Sequence, residues 1–187
     1  MSRRSLSAAG KYRTRKYSLI AGLRNTEVMH MENGCRLLVD PQAAYFSPRE
    51  STERLRMIEK VREGENVMVF FAGVGPFVIE IARKSKASRV VGIEINPSAV
   101  EYFTKNIRLN KLSSAEAVLG DVAAHAKEFA GQFDRVLMPL PEKAIEFIRD
   151  AYLVAKPGGM VHFYFFETED KLNNWKKRIR DVARSLK

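Results

Sequence analysis

The sequence contains little cysteine, little histidine and no long apolar run. Its single cysteine, Cys35, has no partner for an intramolecular disulfide, which favours a reducing compartment. The three histidines lie far apart and show no metal-ligand spacing. No apolar run approaches the roughly 20 residues that cross a bilayer, and the Arg-containing start lacks the apolar segment of a signal peptide. We therefore expect a cytoplasmic protein that binds neither a metal nor a membrane.

Acidic residues are outnumbered, since 32 Lys and Arg against 22 Asp and Glu give a formal net charge of +10. The excess lies at the two ends of the chain, while the middle is nearly balanced. Clustered cations release counterions when they neutralise phosphates, so we expect a polyanionic partner. The alternative is that these charges only promote solubility. The basic residues of the first segment are Arg3, Arg4, Lys11, Arg13, Arg15 and Lys16.

A chain of 187 residues is long enough for one domain with a core and a small appendage. Residues 1–16 show little apolar periodicity, and we predict a basic arm there. Residues 17–47 are rich in strand-like segments. Two of these flank Asn33-Gly34, a pair typical of a type I′ hairpin turn because both residues tolerate positive φ. We predict a small β-rich module here, followed by the main domain over residues 48–187.

The main domain begins with a predicted helix and continues as alternating strands and helices. Ser47-Pro48-Arg49-Glu50 is typical of a capping box, and the helix is expected to run to about Arg62. Apolar strands separated by amphipathic helices predict an α/β fold with a doubly wound, mostly parallel, Rossmann-like sheet. The predicted strands are Val67–Phe71, Arg89–Ile95, Glu116–Leu119, Arg135–Met138 and Val161–Phe166. The predicted helices are Phe77–Lys84, Pro97–Leu109, Ala123–Ala130, Glu142–Ala155 and Asp170–Lys187.

The first turn from strand to helix contains Gly73 and Gly75. In doubly wound sheets the ligand lies beyond the carboxyl ends of the strands, where glycine lets the backbone approach it closely. A dinucleotide-binding turn has a third glycine, which is absent here, and Pro76 has no N–H to offer a phosphate. The turn therefore argues against NAD and against a phosphate-binding P-loop.

Acidic residues follow the next two predicted strands. Glu94 lies about 20 residues after the glycine turn, where a carboxylate can accept both hydroxyls of a ribose. Asp121 follows the third strand and is placed to accept from an adenine amino group. The glycine turn and the two acids in this order indicate an S-adenosylmethionine methyltransferase. Taken singly, Gly120-Asp121 is more often a turn, and an acid at a strand end is more often a helix cap.

Six segments, in chain order, carry a resemblance to a known family: KYRTRKYSLIAG, TEVMHMENG, YFSPRESTERLR, FAGVGPF, IEINPSAVEYFTKNIRLNK and FDRVLMPLP. They resemble the archaeal and eukaryotic tRNA (guanine-37-N1)-methyltransferases and their wyosine-pathway relatives, from Lys11 to about Phe166. The resemblance implies a class I methyltransferase fold, S-adenosyl-L-methionine as the cofactor and tRNA as the partner. Some of these segments lie outside the predicted cofactor fold, which makes the resemblance specific.

The resemblance also implies roles for individual residues. Glu53 matches the base proposed to take the proton from N1 of the target guanine. Arg13 matches an arginine that contacts this guanine, where a cation at O6 stabilises the developing charge. Tyr45 matches an aromatic residue near the target base. The other residues implied to bind substrate are Arg15, Lys16, Pro139 and Pro141. The residues implied to bind the cofactor are Arg54, Phe71, Ala72, Gly73, Gly75, Glu94, Ile95, Asp121, Val122 and Pro139.

The residue pattern alone gives these positions simpler interpretations. Glu53 lies on a helix where it can form an ion pair with Arg49 or Arg56. Arg13 is one more cation in a basic arm. An NAD-dependent oxidoreductase fits Glu94 but does not fit Pro76 or the missing glycine. A protein methyltransferase would explain the cofactor pattern but leaves the basic arm unexplained.

Two positions depart from the commoner family pattern. Val69 stands where most members have an acid, and Pro139 stands where most have an asparagine. The combination of Glu94 and Pro139 resembles the archaeal bifunctional branch, which methylates guanine N1 and also C7 of 4-demethylwyosine. We expect the same dual substrate range here. The lost polar groups leave open a second hypothesis, a catalytically weak RNA-binding module that retains the fold.

The chain is also shorter than the family at both ends. Members have an additional N-terminal domain and two further strands that complete the sheet. We therefore expect Val161–Phe166 to be an exposed edge strand. A monomer is favoured, with dimerisation through this edge as the alternative.

Overall fold

The computed structural model describes residues 2–5, 12, 14, 17–22, 24–141, 144–166 and 172–184. Its strands are β1 (Ser2–Ser5), β2 (Tyr17–Ala21), β3 (Val28–Glu32), β4 (Cys35–Val39), β5 (Asn66–Phe70), β6 (Arg89–Glu94), β7 (Ala115–Leu119), β8 (Phe133–Met138) and β9 (Ala155–Phe163). Its α-helices are α1 (Ser51–Lys60), α2 (Pro76–Lys84), α3 (Pro97–Leu109), α4 (Val122–His125), α5 (Ile148–Val154) and α6 (Leu172–Arg184). Short 3-10 helices, Pro48–Glu50 and Ala144–Phe147, precede α1 and α5.

Five parallel strands form the central sheet in the order β7-β6-β5-β8-β9. The chain passes from β5 outward through β6 to β7, and then returns to the opposite side of β5 with β8 and β9. The strand order therefore reverses between β5 and β8, and a reversal of this kind opens a ligand crevice at the carboxyl ends of the strands. The predicted doubly wound α/β class is confirmed.

Apolar side chains cover both faces of this sheet. Along β5, Val67 and Val69 belong to one buried cluster, whereas Met68 and Phe70 belong to the other. This alternation follows from the two-residue period of a strand. The first cluster includes residues of β4, α1, α2 and α3, and the second includes residues of α4, α5 and β8. A strand buried on both faces explains why β5 reads as a continuous apolar run.

The small module that precedes the sheet is antiparallel, as predicted. β3 pairs with β4 across Asn33 and Gly34, whose φ angles are 48° and 74°. Positive φ at both central residues is the signature of the predicted type I′ turn. The predicted basic arm, in contrast, contains a strand, because β1 pairs antiparallel with β2. The remainder of that arm, including Arg13, Arg15 and Lys16, lies outside the described residues.

Two buried asparagines, Asn106 of α3 and Asn110 at its C-cap, attach the hairpin to the main domain. Asn106 accepts a hydrogen bond from the Leu38 N–H at 2.7 Å and donates to the Leu38 carbonyl at 3.1 Å. Asn110 makes the same pair of bonds with the backbone of Arg36, at 2.9 and 2.7 Å. These side chains satisfy backbone groups of β4 that a neighbouring strand would otherwise pair. The hairpin is therefore held by polar as well as apolar contacts.

Several predicted element boundaries are wrong for identifiable reasons. The Ser47 side chain caps nothing, and its carbonyl accepts instead from Arg54 at 3.1 Å. The predicted helix Ala123–Ala130 ends after one turn, because the following backbone bonds join residues three apart. The predicted helix Glu142–Ala155 is divided into a 3-10 helix and α5, and residues 142–143 lie outside the described ranges.

The last strand differs most from its prediction. β9 begins at Ala155 and ends at Phe163, so Pro157-Gly158-Gly159, which precedes the predicted strand, lies within it. A register irregularity against β8 and a φ of 79° at Gly158 accommodate this segment. β9 is the outermost strand of the described sheet beside β8, which agrees with the edge position that we expected. Because the strand ends early, residues 164–166 extend beyond its carboxyl end.

A buried cluster of ionisable side chains joins the hairpin, α1 and α2. Arg54 donates from Nε to Glu32 Oε1 at 2.6 Å and to Glu80 Oε1 at 3.1 Å. The three side chains are 1%, 5% and 0% exposed, respectively. Asn33 donates to Glu80 Oε2 at 2.7 Å, and His30 lies 3.0 Å from Glu32 Oε2. A third carboxylate, the partly exposed Glu50, lies 3.6 Å from Arg54 Nη1 at the edge of the cluster. Among the three buried side chains, one cation faces two carboxyl groups, so together they are neutral when they hold one proton.

That proton belongs to Glu80. Burial, with the hydrogen bond to Glu32, raises the pKa of Glu80 to about 8. Burial also opposes ionisation of Glu32, but its hydrogen bonds, led by the one from Arg54, lower its pKa to about 2. At neutral pH, Glu32 is the carboxylate that balances Arg54, and Glu80 is mainly the neutral acid.

We predict that Glu80→Gln makes the protein less sensitive to alkaline pH. The folded state holds the Glu80 proton more tightly than the unfolded state, so Glu80 favours folding fully below pH 4.5, and this contribution is lost as pH rises towards 8. Glutamine keeps the neutral shape and cannot ionise. Between pH 5.5 and 8.5, urea unfolding should show a stability loss smaller than that of the unmodified protein by on the order of 2 kcal/mol.

The control is Glu63→Gln, which removes an exposed carboxylate paired with Lys86. This variant should retain the pH dependence of the unmodified protein. Equal losses of stability in all three proteins would contradict the proposed protonation of Glu80.

Candidate active site

The turn after β5 has an unusual backbone. Phe71 adopts a φ of 57°, in the left-handed region that bulky side chains rarely occupy, and such conformations concentrate at functional sites. Its ring packs edge-on against Phe147, with 4.9 Å between the ring centroids. Gly73 and Gly75 follow, with φ of 58° and 84°. The backbone of this turn curls over the carboxyl end of β5.

Glu94 holds this turn from the neighbouring strand. Its Oε2 accepts from the Gly73 N–H and its Oε1 from the Asn96 N–H, both at 2.8 Å. Burial raises the pKa of Glu94, although these backbone bonds favour its charged form. Each carboxylate oxygen has a second lone pair, so Glu94 can also accept hydroxyl donors from a ligand.

The two glycines serve different purposes. Gly73 borders open space, where an added Cβ would meet only the Tyr45 carbonyl oxygen, at 3.4 Å. At Gly75 a Cβ would lie 2.1 Å from Cδ2 of Phe103, a ring that is fully buried. Our explanation of Gly75 by ligand access is therefore wrong, because its missing side chain makes room for core packing. The explanation agrees with the position of Gly73.

A cavity of about 110 Å³ opens at this edge of the sheet, and we call it the inner cavity. It combines the turn after β5, the end of β6 and the segment after β8. Six residues that the sequence singled out for cofactor or substrate binding line it: Tyr45, Phe71, Gly73, Glu94, Ile95 and Pro139. The remaining lining residues are Tyr12, Asn96, Ala99 and Leu140.

A second cavity of about 390 Å³, here the outer cavity, lies beside the first. Glu53 and the predicted substrate residue Pro141 line it, and Pro139 lines both cavities. Pro139 is thus the shared wall between the predicted cofactor residues and the predicted base. The remaining lining residues are Arg49, Glu50, Arg56, Phe77, Phe163, Tyr164, Phe165 and Phe166.

Glu53 is engaged by two donors. Arg56 binds its two carboxylate oxygens, with both distances at 2.6 Å, and the Tyr164 hydroxyl donates to Oε1 at 2.5 Å. The hydrogen bonds from Arg56 lower the pKa of Glu53, the burial of the carboxyl opposes them, and the bond from Tyr164 lowers the pKa further. The ion pair anticipated from the sequence is thus present, and it lies within a cavity.

Five described residues that we predicted to bind cofactor line neither cavity. Arg54 lies in the buried cluster with Glu32 and Glu80. Asp121 caps α4 by accepting from the Ala123 N–H at 2.9 Å, as a helix cap does. Ala72 and Val122 are buried, and Gly75 faces the core.

The sequence interpretation missed the aromatic wall of the outer cavity. Residues 163–166 were assigned to a strand, whereas three of them lie beyond its end and line the cavity. Phe166 is 84% exposed, which is unusual for a large apolar side chain. The run of four aromatic residues at 163–166 was a signal for this wall, but it did not indicate that β9 ends at Phe163.

The described ranges contain no candidate membrane span and no candidate metal site. No helix there is long and apolar enough to span a bilayer. No group of three or more His, Cys, Asp or Glu side chains there is arranged to hold a metal ion.

The model of the protein family described as "TRM5/TYW2 methyltransferase domain" matches residues 28–187 of the chain. The chain belongs to this family. The resemblance read from the motifs is thereby confirmed. The TRM5/TYW2 chain is 43% identical over 175 residues to the tRNA (guanine(37)-N(1))-methyltransferase Trm5b of Pyrococcus abyssi. This match covers 93% of this chain and 51% of that protein. The crystal structure of that Trm5b matches with a TM-score of 0.83 and 42% identity, over 98% of this chain and 54% of the other.

Two further relatives of the TRM5/TYW2 chain differ in what their names state. The structure of M. jannaschii TYW2 in complex with AdoMet matches with a TM-score of 0.84 and 31% identity, over 91% of this chain and 77% of that one. The tRNA (guanine(37)-N(1))/4-demethylwyosine(37)-methyltransferase Taw22 of Nanoarchaeum equitans is 29% identical over 224 residues, 92% of this chain and 74% of that protein. The chain spans about half the length of the Trm5b relatives that it matches.

We predict that Gly75→Ala destabilises the TRM5/TYW2 chain through a steric clash with Phe103. The substitution combines a left-handed φ with a Cβ inside a buried ring, so we expect a loss of about 3 kcal/mol or more in the free energy of unfolding. Gly64→Ala is a matched control, because φ there is 79° but nothing lies within 4 Å of an added Cβ. It should cost about 1 kcal/mol. Equal costs in urea unfolding would exclude the packing role of Gly75.

Proposed function

We propose that this chain catalyses transfer of a methyl group from S-adenosyl-L-methionine to N1 of guanosine 37 in tRNA. The observation that carries the proposal is the position of Pro139, which lines both the inner and the outer cavity. Cofactor residues predicted from the family lie on one side of it and the predicted base lies on the other. The printed names of the Trm5b relatives and the excess of positive charge agree with a tRNA substrate.

The polar groups and open backbone of the inner cavity suit the ribose of an adenosine-containing cofactor. Glu94 has lone pairs for the two hydroxyls of a ribose, and Gly73 leaves space that a side chain would fill. The related TYW2 structure is described as a complex with AdoMet. When bound, the cofactor supplies an electrophilic methyl group. Pro139 offers no side-chain donor, so it would contact a bound cofactor through its apolar ring.

The outer cavity fits a flat base beside an acid–base group. Its volume of about 390 Å³ falls within the range of about 300 to 1,000 Å³ that is typical of small-ligand pockets, and aromatic side chains form one wall. Glu53 is the group that can take the N1 proton of guanine, because a carboxylate within hydrogen-bond reach makes N1 nucleophilic. Arg56 must first release one carboxylate oxygen. Arg13, as the contact to O6, is a further part of the proposal.

Two replacements test the proposal, one of the nucleobase at position 37 of the tRNA and one of the general base Glu53. Unmodified tRNA with guanine at position 37 should accept labelled methyl groups from S-adenosyl-L-methionine, and tRNA with another base there should not. Glu53→Gln should lower the rate by about 100-fold or more, since general-base catalysis typically contributes 10² to 10⁴. Glu59→Gln, an exposed acid on the same helix, should retain full activity.

The outcomes separate enzyme from binding module. No transfer by a protein that still binds S-adenosyl-L-methionine would favour the catalytically weak RNA-binding module. Transfer that is unchanged in Glu53→Gln would remove Glu53 from the mechanism while leaving the enzyme.

We further propose that the chain methylates C7 of 4-demethylwyosine. Glu94 and Pro139 support this, as does the Nanoarchaeum equitans relative, whose name includes both substrates. A proline in place of an amide leaves more room for a tricyclic base than the commoner asparagine. On tRNA carrying this precursor, we expect a C7-methylated nucleoside by mass spectrometry. If the protein forms 1-methylguanosine on guanine-bearing tRNA but no C7-methylated nucleoside on the precursor tRNA, the second activity is ruled out.

A further inference from the structure

Tyr164 touches Glu53, the predicted base, from outside the helix that carries it. It follows the last residue of β9, lines the outer cavity, and donates its hydroxyl to Glu53 Oε1 at 2.5 Å. Its ring packs edge-on against Phe77 of α2, with 6.3 Å between centroids. The backbone and ring of Tyr164 are therefore positioned by β9 and α2, and not by the helix that carries Glu53.

The two donors to Glu53 differ in how firmly they are placed. Arg56 belongs to the same helix, and its side chain is 50% exposed. The contact is bidentate, but solvent competes for an exposed guanidinium and its long side chain loses freedom when it pairs. Tyr164 is partly buried and reaches Glu53 from the end of the sheet. If Arg56 turns into solvent, Oε2 is freed while Oε1 stays bound.

We propose that Tyr164 is a positioning residue that fixes Glu53 Oε1, so that Oε2 is available to the N1 proton of the target base. This inference rests on the proposed role of Glu53 as the base. Tyr164 transfers no proton. It donates one hydrogen bond throughout the reaction and orients the carboxylate within the outer cavity.

The electrostatics of the contact agree with this assignment. Burial and the neighbouring Glu53 raise the pKa of Tyr164, so the phenol remains protonated and able to donate. Donation to the charged carboxylate also lowers the pKa of Glu53. Among the described residues, the other charged or titratable groups that line the outer cavity or act on Glu53 are Arg56 on α1, His162 on β9, and Arg49 and Glu50 in the 3-10 helix before α1. All four are unchanged in the variants below.

A double-mutant cycle of Tyr164→Phe and Glu53→Gln tests the proposal. Tyr164→Phe alone should lower kcat for methyl transfer by about 10-fold and leave KM for tRNA unchanged, because only the orientation of the base is lost. In the Glu53→Gln background it should have no further effect. Tyr102→Phe is the matched control, since it removes a phenol donor to Glu27 at 2.8 Å outside both cavities. It should behave as the unmodified protein.

The pH profile supplies a readout that a structural role would not move. Loss of a donor to the carboxylate raises the pKa of Glu53, so the acidic limb of kcat should shift to higher pH in Tyr164→Phe. Site-specific 3-fluorotyrosine at position 164 keeps the ring and strengthens the donor. It should shift the limb to lower pH, and it replaces Tyr164→Phe if that variant does not fold.

Each outcome decides the question. The positioning role would be overturned if the rate losses of Tyr164→Phe and Glu53→Gln multiplied in the double variant. It would also be overturned if the acidic limb of the kcat profile stayed in place in both Tyr164 variants. Full activity of Tyr164→Phe beside a defective Glu53→Gln would overturn it and leave the proposed function intact. An active Glu53→Gln would remove the base itself. Carbon-13 NMR titration of Glu53 gives the same test without turnover, since an unchanged Glu53 pKa in both Tyr164 variants also overturns the proposal.

Discussion

The buried contacts of Arg54 determine how the outer cavity is built. Adjacent residues on an α-helix point about 100° apart, so the direction of Arg54 fixes that of Glu53. Arg54 turns inward because Glu32 and Glu80 hold its guanidinium. Removing one partner from such a buried pair leaves an uncompensated charge, which is strongly destabilising. The orientation of α1 is therefore set by the hairpin and α2, and Glu53 is left facing the cavity.

The inner cavity depends on a different carboxylate. Glu94 ends β6 and bonds to backbone N–H groups on both sides of the crevice, in the turn after β5 and at the start of α3. These bonds hold the turn in a conformation that Phe71 would not otherwise favour. The order of the strands places this turn next to the segment after β8, because β5 and β8 are neighbours across the reversal. Pro139 reaches both cavities for that reason.

The sequence predicted the elements with strong local signals and failed where tertiary contacts decide. Asn33-Gly34 specified its turn because positive φ at two positions is a local property. Ser47 was expected to cap a helix through its side chain, but that side chain makes no capping hydrogen bond, and the helix begins with a 3-10 turn. Gly75 looked like a ligand contact because the ring of Phe103, which fills the space, comes from another helix. Tyr164 was assigned to a strand, since nothing local indicates that β9 ends at Phe163.

Arg54 and Arg56, two residues apart on one helix, have opposite consequences for the same site. Arg54 is 1% exposed and is held by two buried carboxyl groups, so breaking its ion pairs would leave an uncompensated buried charge. Arg56 is half exposed, so water can take over its hydrogen bonds when it leaves Glu53, and its pair is easier to break than those of Arg54. Breaking it costs little compared with a typical catalytic barrier. The helix can therefore keep its position while Glu53 changes partners, which is what a general base beside a bound substrate requires.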